Sequence, residues 1–302
     1  MLTMNTIISR ALFLLVPLLL GLSPFNIAAE GFRQTHADKG ESIQIPISDD
    51  TGHPWLMQGR ICRPEGVGRP RLVVINHGSP PSAADRPGMT LETCGAESAQ
   101  WFLRRHYAVV LVLRLGYGAT GGPWTEGYDG CNQADYYKSG METARQLKTI
   151  VDFVAALPGY NPTGVIVVGQ SAGGWGTLAY NSMPHPNVSA FVNMAGGRGG
   201  HLHNMPNSNC HPEKLVEAAG QFGKTATTPM LWIYTANDSY FAPDLATAMH
   251  QAFTSSGGKA ELVAPGAYGD DGHHLFFGHG GSETWGPAVE TFIKNIDASA
   301  SR

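Results

Sequence analysis

Between Gly164 and Tyr180 the chain reads GVIVVGQSAGGWGTLAY, and this stretch restricts the possible folds more than any other. Val165 to Val168 are β-branched and apolar, which suits a buried strand. Gly169-Gln170-Ser171-Ala172-Gly173 follows, and then a run of small residues able to form a helix. The pattern is strand, tight turn and helix, with a serine at the apex of the turn. Glycines two before and two after Ser171 let the chain reverse sharply, so the hydroxyl stands exposed while the helix N-terminus aims its free N–H groups at the same point. With 38 glycines in 302 residues the pentapeptide alone carries little weight, and its strand and helix context supplies the rest.

The first 29 residues differ in kind. Arg10 precedes the apolar run Ala11 to Leu22, which is too short for a membrane span and is interrupted by Pro17, and Ile27-Ala28-Ala29 offers a small-residue cleavage site before Glu30. The expectation is a signal peptide over 1–29, with an uncleaved anchor as the alternative, and a single domain over 30–302 that is periplasmic or secreted. No stable membrane span would remain after signal removal. A net charge of −4 gives no basic stripe for nucleic acid, so the expected partner is a small molecule. Cys62, Cys94, Cys131 and Cys210 make an even count in an exported chain, and none lies in a CxxC pair. Two disulfides are expected, among three possible connectivities, with free buried thiols as the alternative.

Along the chain, alternating patterns at Ser42–Ile47 and Leu56–Arg63 around Asp49-Asp50-Thr51-Gly52 predict an antiparallel hairpin at a sheet edge. Apolar strands are predicted at Arg71–Asn76, Ala108–Leu113, Ala190–Met194, Met230–Tyr234 and Glu261–Val263. Helices are predicted at Ser98–His106, Lys138–Leu157, Glu213–Phe222, from Pro243 to about Phe253, and from about Trp285 to Ile296. This alternation means an α/β fold with a mostly parallel sheet covered on both faces, and ligands in such sheets sit at the carboxyl ends of the strands. Gly116-Tyr117-Gly118-Ala119-Thr120-Gly121 fits the dinucleotide string G-x-G-x-x-G, but Gly122-Pro123-Trp124 follows in place of an apolar helix. It reads as a glycine-rich active-site loop, and no cofactor is expected.

A serine hydroxyl needs a base to take its proton during attack, and the base needs an orienting acid. Asp238 lies just past the strand ending at Tyr234, and His273 and His274 lie in a later loop, so the order serine, acid, histidine is met. Asp270 and Asp271 are too close to His273 in sequence to approach its ring easily and are expected to shape the loop turn. His201, His203, Cys210 and His211 crowd one segment, but their spacing matches no zinc signature and no metal is expected. Arg198 is a candidate for a substrate carboxylate, or else a solvated side chain, and Trp124, Tyr128 and Trp175 are candidates for an acyl or aromatic pocket, or else core.

Taken together, Gly169–Gly173 with His77-Gly78, the segment WIYTANDSYF (Trp232 to Phe241) and the segment GDDGHHLF (Gly269 to Phe276) resemble exported α/β-hydrolases of the dienelactone-hydrolase-like or prolyl-oligopeptidase-like group, from about Leu56 to Ile296. The resemblance implies the α/β-hydrolase fold, Ser171 as nucleophile, Asp238 as orienting acid and His273, directly after Asp-Gly, as general base. It implies an oxyanion hole from the backbone N–H groups of Ala172 and of Ser79 or Gly78. It pairs Cys131 with Cys210, leaving Cys62 with Cys94. Enzymes typical of dienelactone hydrolase use a cysteine nucleophile, and Ser171 in that position favours an ordinary ester. The expected activity is therefore a cofactor-free serine hydrolase cleaving a carboxylic ester through an acyl-enzyme. The alternatives are a small peptidase or amidase with the same triad, and a non-catalytic binding protein on a hydrolase scaffold.

Overall fold

The computed structural model describes residues 40–300, and the signal peptide expected over 1–29 lies outside them. Strands β1 (Gly40–Ser48), β2 (Pro54–Cys62), β3 (Leu72–Asn76), β4 (Ala108–Val112), β5 (Val165–Gln170), β6 (Val188–Met194), β7 (Met230–Ile233) and β8 (Ala260–Val263) form one sheet. Their spatial order is β1-β2-β4-β3-β5-β6-β7-β8. The hairpin β1–β2 is antiparallel at the sheet edge as expected, and its turn is held by the Asp49 carboxylate, which accepts from the N–H of Thr51 at 2.9 Å and of His53 at 3.0 Å. Strand β2 runs antiparallel to β4, and every later pairing is parallel.

Helices α1 (Glu97–Leu103), α2 (Tyr136–Ala155), α3 (Ala172–Asn181), α4 (Pro212–Gly223), α5 (Pro243–Ser255) and α6 (Gly281–Ala300) complete the alternation. Because strand side chains alternate between faces, Val165 and Val167 join Leu147 of α2, Trp175 of α3, Leu215 of α4 and Met249 of α5 in one core. Ile166 and Val168 join Phe102 of α1 with Trp285 and Phe292 of α6 in the other. Each such side chain contributes about 1.5–3 kcal/mol by leaving water. Helix α2 carries the chain from β4 back past β3 to β5, so the elbow strand lies inside the sheet. In register, Asn76 is level with Gly169, Gln170 with Met194, and Met194 with Ile233. The loops leaving these strands therefore open onto one edge.

Helix α6 begins at Gly281, four residues before the predicted start, because an acid from another helix caps it. The Glu97 carboxylate accepts from Gly280 N and Ser282 N, each at 2.8 Å. Both expected disulfides are present: Cys62 with Cys94, Cα atoms 5.6 Å apart, and Cys131 with Cys210, 5.4 Å apart. Their sequence separations of 32 and 79 residues correspond to about 3–5 kcal/mol each from restricting the unfolded chain.

Just past β4, Arg114 is fully buried, as is Glu126. The Glu126 carboxylate accepts from Arg114 through Nε and Nη2, from Arg198 through Nη2, and from the Tyr117 hydroxyl at 2.9 Å. Arg114 also donates through Nη1 to the Asn76 side chain and to His77 O at 2.7 Å, tying the end of β3 to the same cluster. Burial acts to raise the Glu126 carboxyl, but the charges of Arg114 and Arg198 outweigh it and hold it down at about 2. Since this lies below the unfolded value of about 4.3, the cluster's stabilisation is complete above about pH 5 and is lost as pH falls toward the folded value. Glu126→Gln strands two buried guanidinium groups, so it is expected to destabilise by about 3–5 kcal/mol at pH 7. In urea unfolding, the gap between wild type and this variant should narrow between pH 5 and pH 3; a gap constant with pH would contradict the assignment.

Candidate active site

Ser171 sits between β5 and α3 with φ 54° and ψ −122°, a backbone conformation that a non-glycine residue adopts only when its surroundings enforce it. They do so here from three sides. Ser171 N donates to Met194 O at 3.0 Å, and Ser171 O accepts from Trp175 N at 2.9 Å and Gly197 N at 3.2 Å. Helix α3 approaches the end of β3 so closely that a Cβ on Gly173 would lie 2.5 Å from Asn76 O. Asn76 uses that proximity, donating Nδ2 to Gly173 O at 3.0 Å.

Asp238 and His273 meet from two separate loops, and both are buried. Both Asp238 oxygens lie 3.1 Å from His273 Nδ1, which assigns the ring proton to Nδ1 and leaves Nε2 as the acceptor. Asp238 is itself held by the N–H groups of Tyr240 at 2.8 Å and Phe241 at 2.9 Å. Asp271 does not address the ring; it accepts from His273 N at 3.0 Å, Ser239 N at 3.0 Å and the Ser239 hydroxyl at 2.6 Å, shaping the loop. Burial favours its neutral form, but these hydrogen bonds outweigh burial and leave the Asp271 carboxyl below its ordinary value. His274 is exposed and borders the same cavity as Ser171, but the Asp238 carboxylate holds the His273 ring.

Ala172 is the first residue of α3, so its N–H has no acceptor within the helix. Gly78 and Ser79 border the same cavity as Ser171. A Cβ on Gly78 would stand 2.5 Å from Gln170 Oε1 and 3.1 Å from Ser171 Cβ, so a side chain there would displace the Gln170 amide and press on the nucleophile turn. His77 fixes this loop. Its Nε2 accepts from Arg114 N at 3.1 Å, so Nδ1 carries the proton and donates to Gly78 O at 2.6 Å. Burial and then the Arg114 charge push the His77 ring down to about 3, so it is neutral at physiological pH. In a planar trans peptide the Ser79 N–H points opposite to the Gly78 carbonyl that His77 holds.

Two cavities meet at Ser171. The first, about 300 Å³, is lined by Leu91, Leu113, Phe277, Gln170 and His273 among others; the second, about 260 Å³, by Arg86, Trp124, Tyr128, Arg198 and Phe241. Ser79, Pro80, Pro81, Ser171 and Tyr240 border both. Trp124 and Arg198 thus reach the site. Trp175 does not: it is fully buried in the α2–α4 core, donating Nε1 to Tyr136 O at 2.8 Å and packing edge-on against Phe222. The Gly116–Gly121 segment is also corrected, since it borders neither cavity. It forms a short 3-10 turn at Gly118–Thr120, whose Thr120 hydroxyl accepts from Gln58 N at 2.9 Å and so ties the turn to β2. Cys210 is in its disulfide, His211 faces Glu213 at 2.8 Å, and the His201 ring stacks on Tyr240 at 3.8 Å.

Sequence reasoning missed Gln170, Tyr240, Arg86 and Glu126. Gln170, directly before the serine, donates Nε2 to His273 O at 3.0 Å, and the Tyr240 ring stacks on the His273 ring at 4.1 Å. Arg86 lies with its guanidinium 3.6 Å from the Trp124 ring centre. Gln170, directly before Ser171, and Tyr240, inside the segment Trp232 to Phe241, carried a usable signal.

No family model matches this sequence, and a search of curated proteins finds no match. Solved structures do match. The chain is similar to the Est1E structure from Butyrivibrio proteoclasticus with ferulic acid bound, at 15% identity and TM-score 0.56, covering 85% of this chain and 99% of that one. It is similar to the Pyrococcus furiosus esterase Pf2001 at 16% identity and TM-score 0.57, covering 86% and 93%. It is also similar to Pyrococcus horikoshii acylaminoacyl peptidase at 14% identity and TM-score 0.55, covering 80% of this chain but 38% of that one. These likenesses, with the strand order and antiparallel edge, show that the chain has the α/β-hydrolase fold.

Proposed function

We propose that this protein is an exported serine hydrolase that cleaves a carboxylic ester through an acyl-enzyme intermediate. The observation that carries the reading is Ser171 in its enforced backbone conformation, opening onto the same cavity as a His273 ring whose Nδ1 is held by both oxygens of Asp238. Export is supported by the two disulfides, which persist outside the cytoplasm. Among the described residues no helix is long and apolar enough to cross a membrane. A neighbour that holds ferulic acid supports a small-molecule substrate, and the apolar lining of the first cavity supports an uncharged group on one side of the ester.

In this reading Ser171 Oγ attacks the ester carbonyl as its proton passes to His273 Nε2, and Asp238 stabilises the imidazolium that forms. The tetrahedral oxyanion accepts from the N–H of Ala172 and of Ser79 or Gly78. Collapse breaks the bond to the alkoxy oxygen, which leaves as the alcohol with the proton from His273. Water then attacks the acyl carbon, again giving a proton to His273, and the carboxylic acid departs as Ser171 recovers its proton.

Ser171→Ala is expected to keep the wild-type melting temperature, to lose turnover of 4-nitrophenyl butyrate by about 10⁴-fold or more, and to escape the fluorophosphonate labelling that wild type undergoes. Wild type left unlabelled would end the catalytic reading, and faster cleavage of an aminoacyl 4-nitroanilide than of the ester would replace esterase with amidase. His273→Ala should match the serine variant while His274→Ala stays within about tenfold of wild type; equal losses would move the base. Gly78→Ala, by pushing on Gln170 and Ser171, should lower kcat on the order of 100-fold in steady-state assays, and an unchanged kcat would remove that loop from the oxyanion hole.

A further inference from the structure

We propose that the second cavity is an anion-binding acyl subsite, so that the preferred esters carry a carboxylate on the acyl side; this rests on the hydrolase reading above. Two guanidinium groups line this cavity, Arg86 and Arg198, and among the described residues no carboxylate does. Behind the wall, Glu126 is shared between Arg198 and Arg114, so one carboxylate faces two cations and the cluster keeps a net positive charge. Arg198 is 6% exposed, and its Nε is buried without a hydrogen-bond partner among the described residues. Among the described residues Glu126 accepts from Arg198 through Nη2, which leaves further guanidinium donors at the cavity wall for an anion. Guanidinium groups recognise a planar carboxylate through paired N–H donors.

The wall between the two arginines is fixed. Trp124 donates Nε1 to the Tyr117 hydroxyl at 2.9 Å, Arg86 lies 3.6 Å from its ring centre, and Arg198 lies 5.8 Å away. The assignment to the acyl side follows from which residues each cavity reaches. His273, which returns its proton to the departing alcohol, lines the first cavity and not the second, whereas Ala172 lines the second and not the first. The alcohol therefore leaves through the apolar first cavity. The acyl group stays on Ser171 and extends toward Arg198 and Arg86.

The test compares mono-4-nitrophenyl adipate, with its free carboxylate, against methyl 4-nitrophenyl adipate, in which the same carboxylate is capped. The readout is the ratio of the two kcat/KM values within each protein, so a general loss of activity cancels. Wild type is expected to favour the free acid by about 10- to 100-fold at low salt. The ratio should collapse toward one in Arg198→Gln, fall partway in Arg86→Gln and be partly kept in Arg198→Lys, whereas a merely structural role for the arginines would leave it unmoved. Should Arg198→Gln fail to fold, the half-buried Arg86 supplies the deciding variant. Equal turnover of both esters by wild type, or a ratio unchanged in the Gln variants, overturns the subsite while leaving the hydrolase reading intact. Failure to cleave either ester, with Ser171 unlabelled by fluorophosphonate, overturns both.

Discussion

A single carboxylate holds together loops that come from widely separated parts of the chain. Glu126 sits between Arg114, which follows the central strand β4, and Arg198, in the loop after β6, while Arg114 also reaches back to the end of β3. An isolated charge in such a place would be expelled or neutralised. Two cations, a tyrosine hydroxyl and the buried Gln146 amide make it tenable. In return, the ends of β3 and β4 and the loop after β6 acquire fixed spacing at the edge where Ser171 stands. The positions of His77, Gly78 and the nucleophile turn follow from that spacing.

The triad geometry has a comparable logic. Asp238 is anchored by two backbone N–H groups before it meets His273, and the His273 loop is anchored by Asp271 and by Gln170. The ring itself is faced by Tyr240. Each member of the proposed triad is thus oriented by neighbours that take no part in bond making, which is the condition for electrostatic stabilisation without reorganisation.

Much of this was legible in the sequence because it is local. The elbow declares itself through four β-branched residues, a glycine-flanked serine and small helical residues, and the strand-helix alternation follows from periodicity alone. Asp238 and the pair His273-His274 could be named because each follows a predicted strand in the required order, and the choice of His273 within the pair came from the resemblance to α/β-hydrolases. Trp175 was misplaced because an aromatic four residues after the serine can face either the cavity or a neighbouring helix, and only the packing of α2 decides. Glu126 was illegible because its partners stand 12 residues before and 72 residues after it. The start of α6 was displaced because the carboxylate that caps it lies 183 residues earlier, at Glu97.

The disulfide between Cys131 and Cys210 joins the segment that carries Trp124, Glu126 and Tyr128 to the one that carries Arg198. Trp124 and Tyr128 from the first segment and Arg198 from the second all line the second cavity, so the disulfide restrains covalently how far these parts of its lining can separate. A covalent link of this kind lowers the conformational freedom that binding would otherwise have to remove from the two segments.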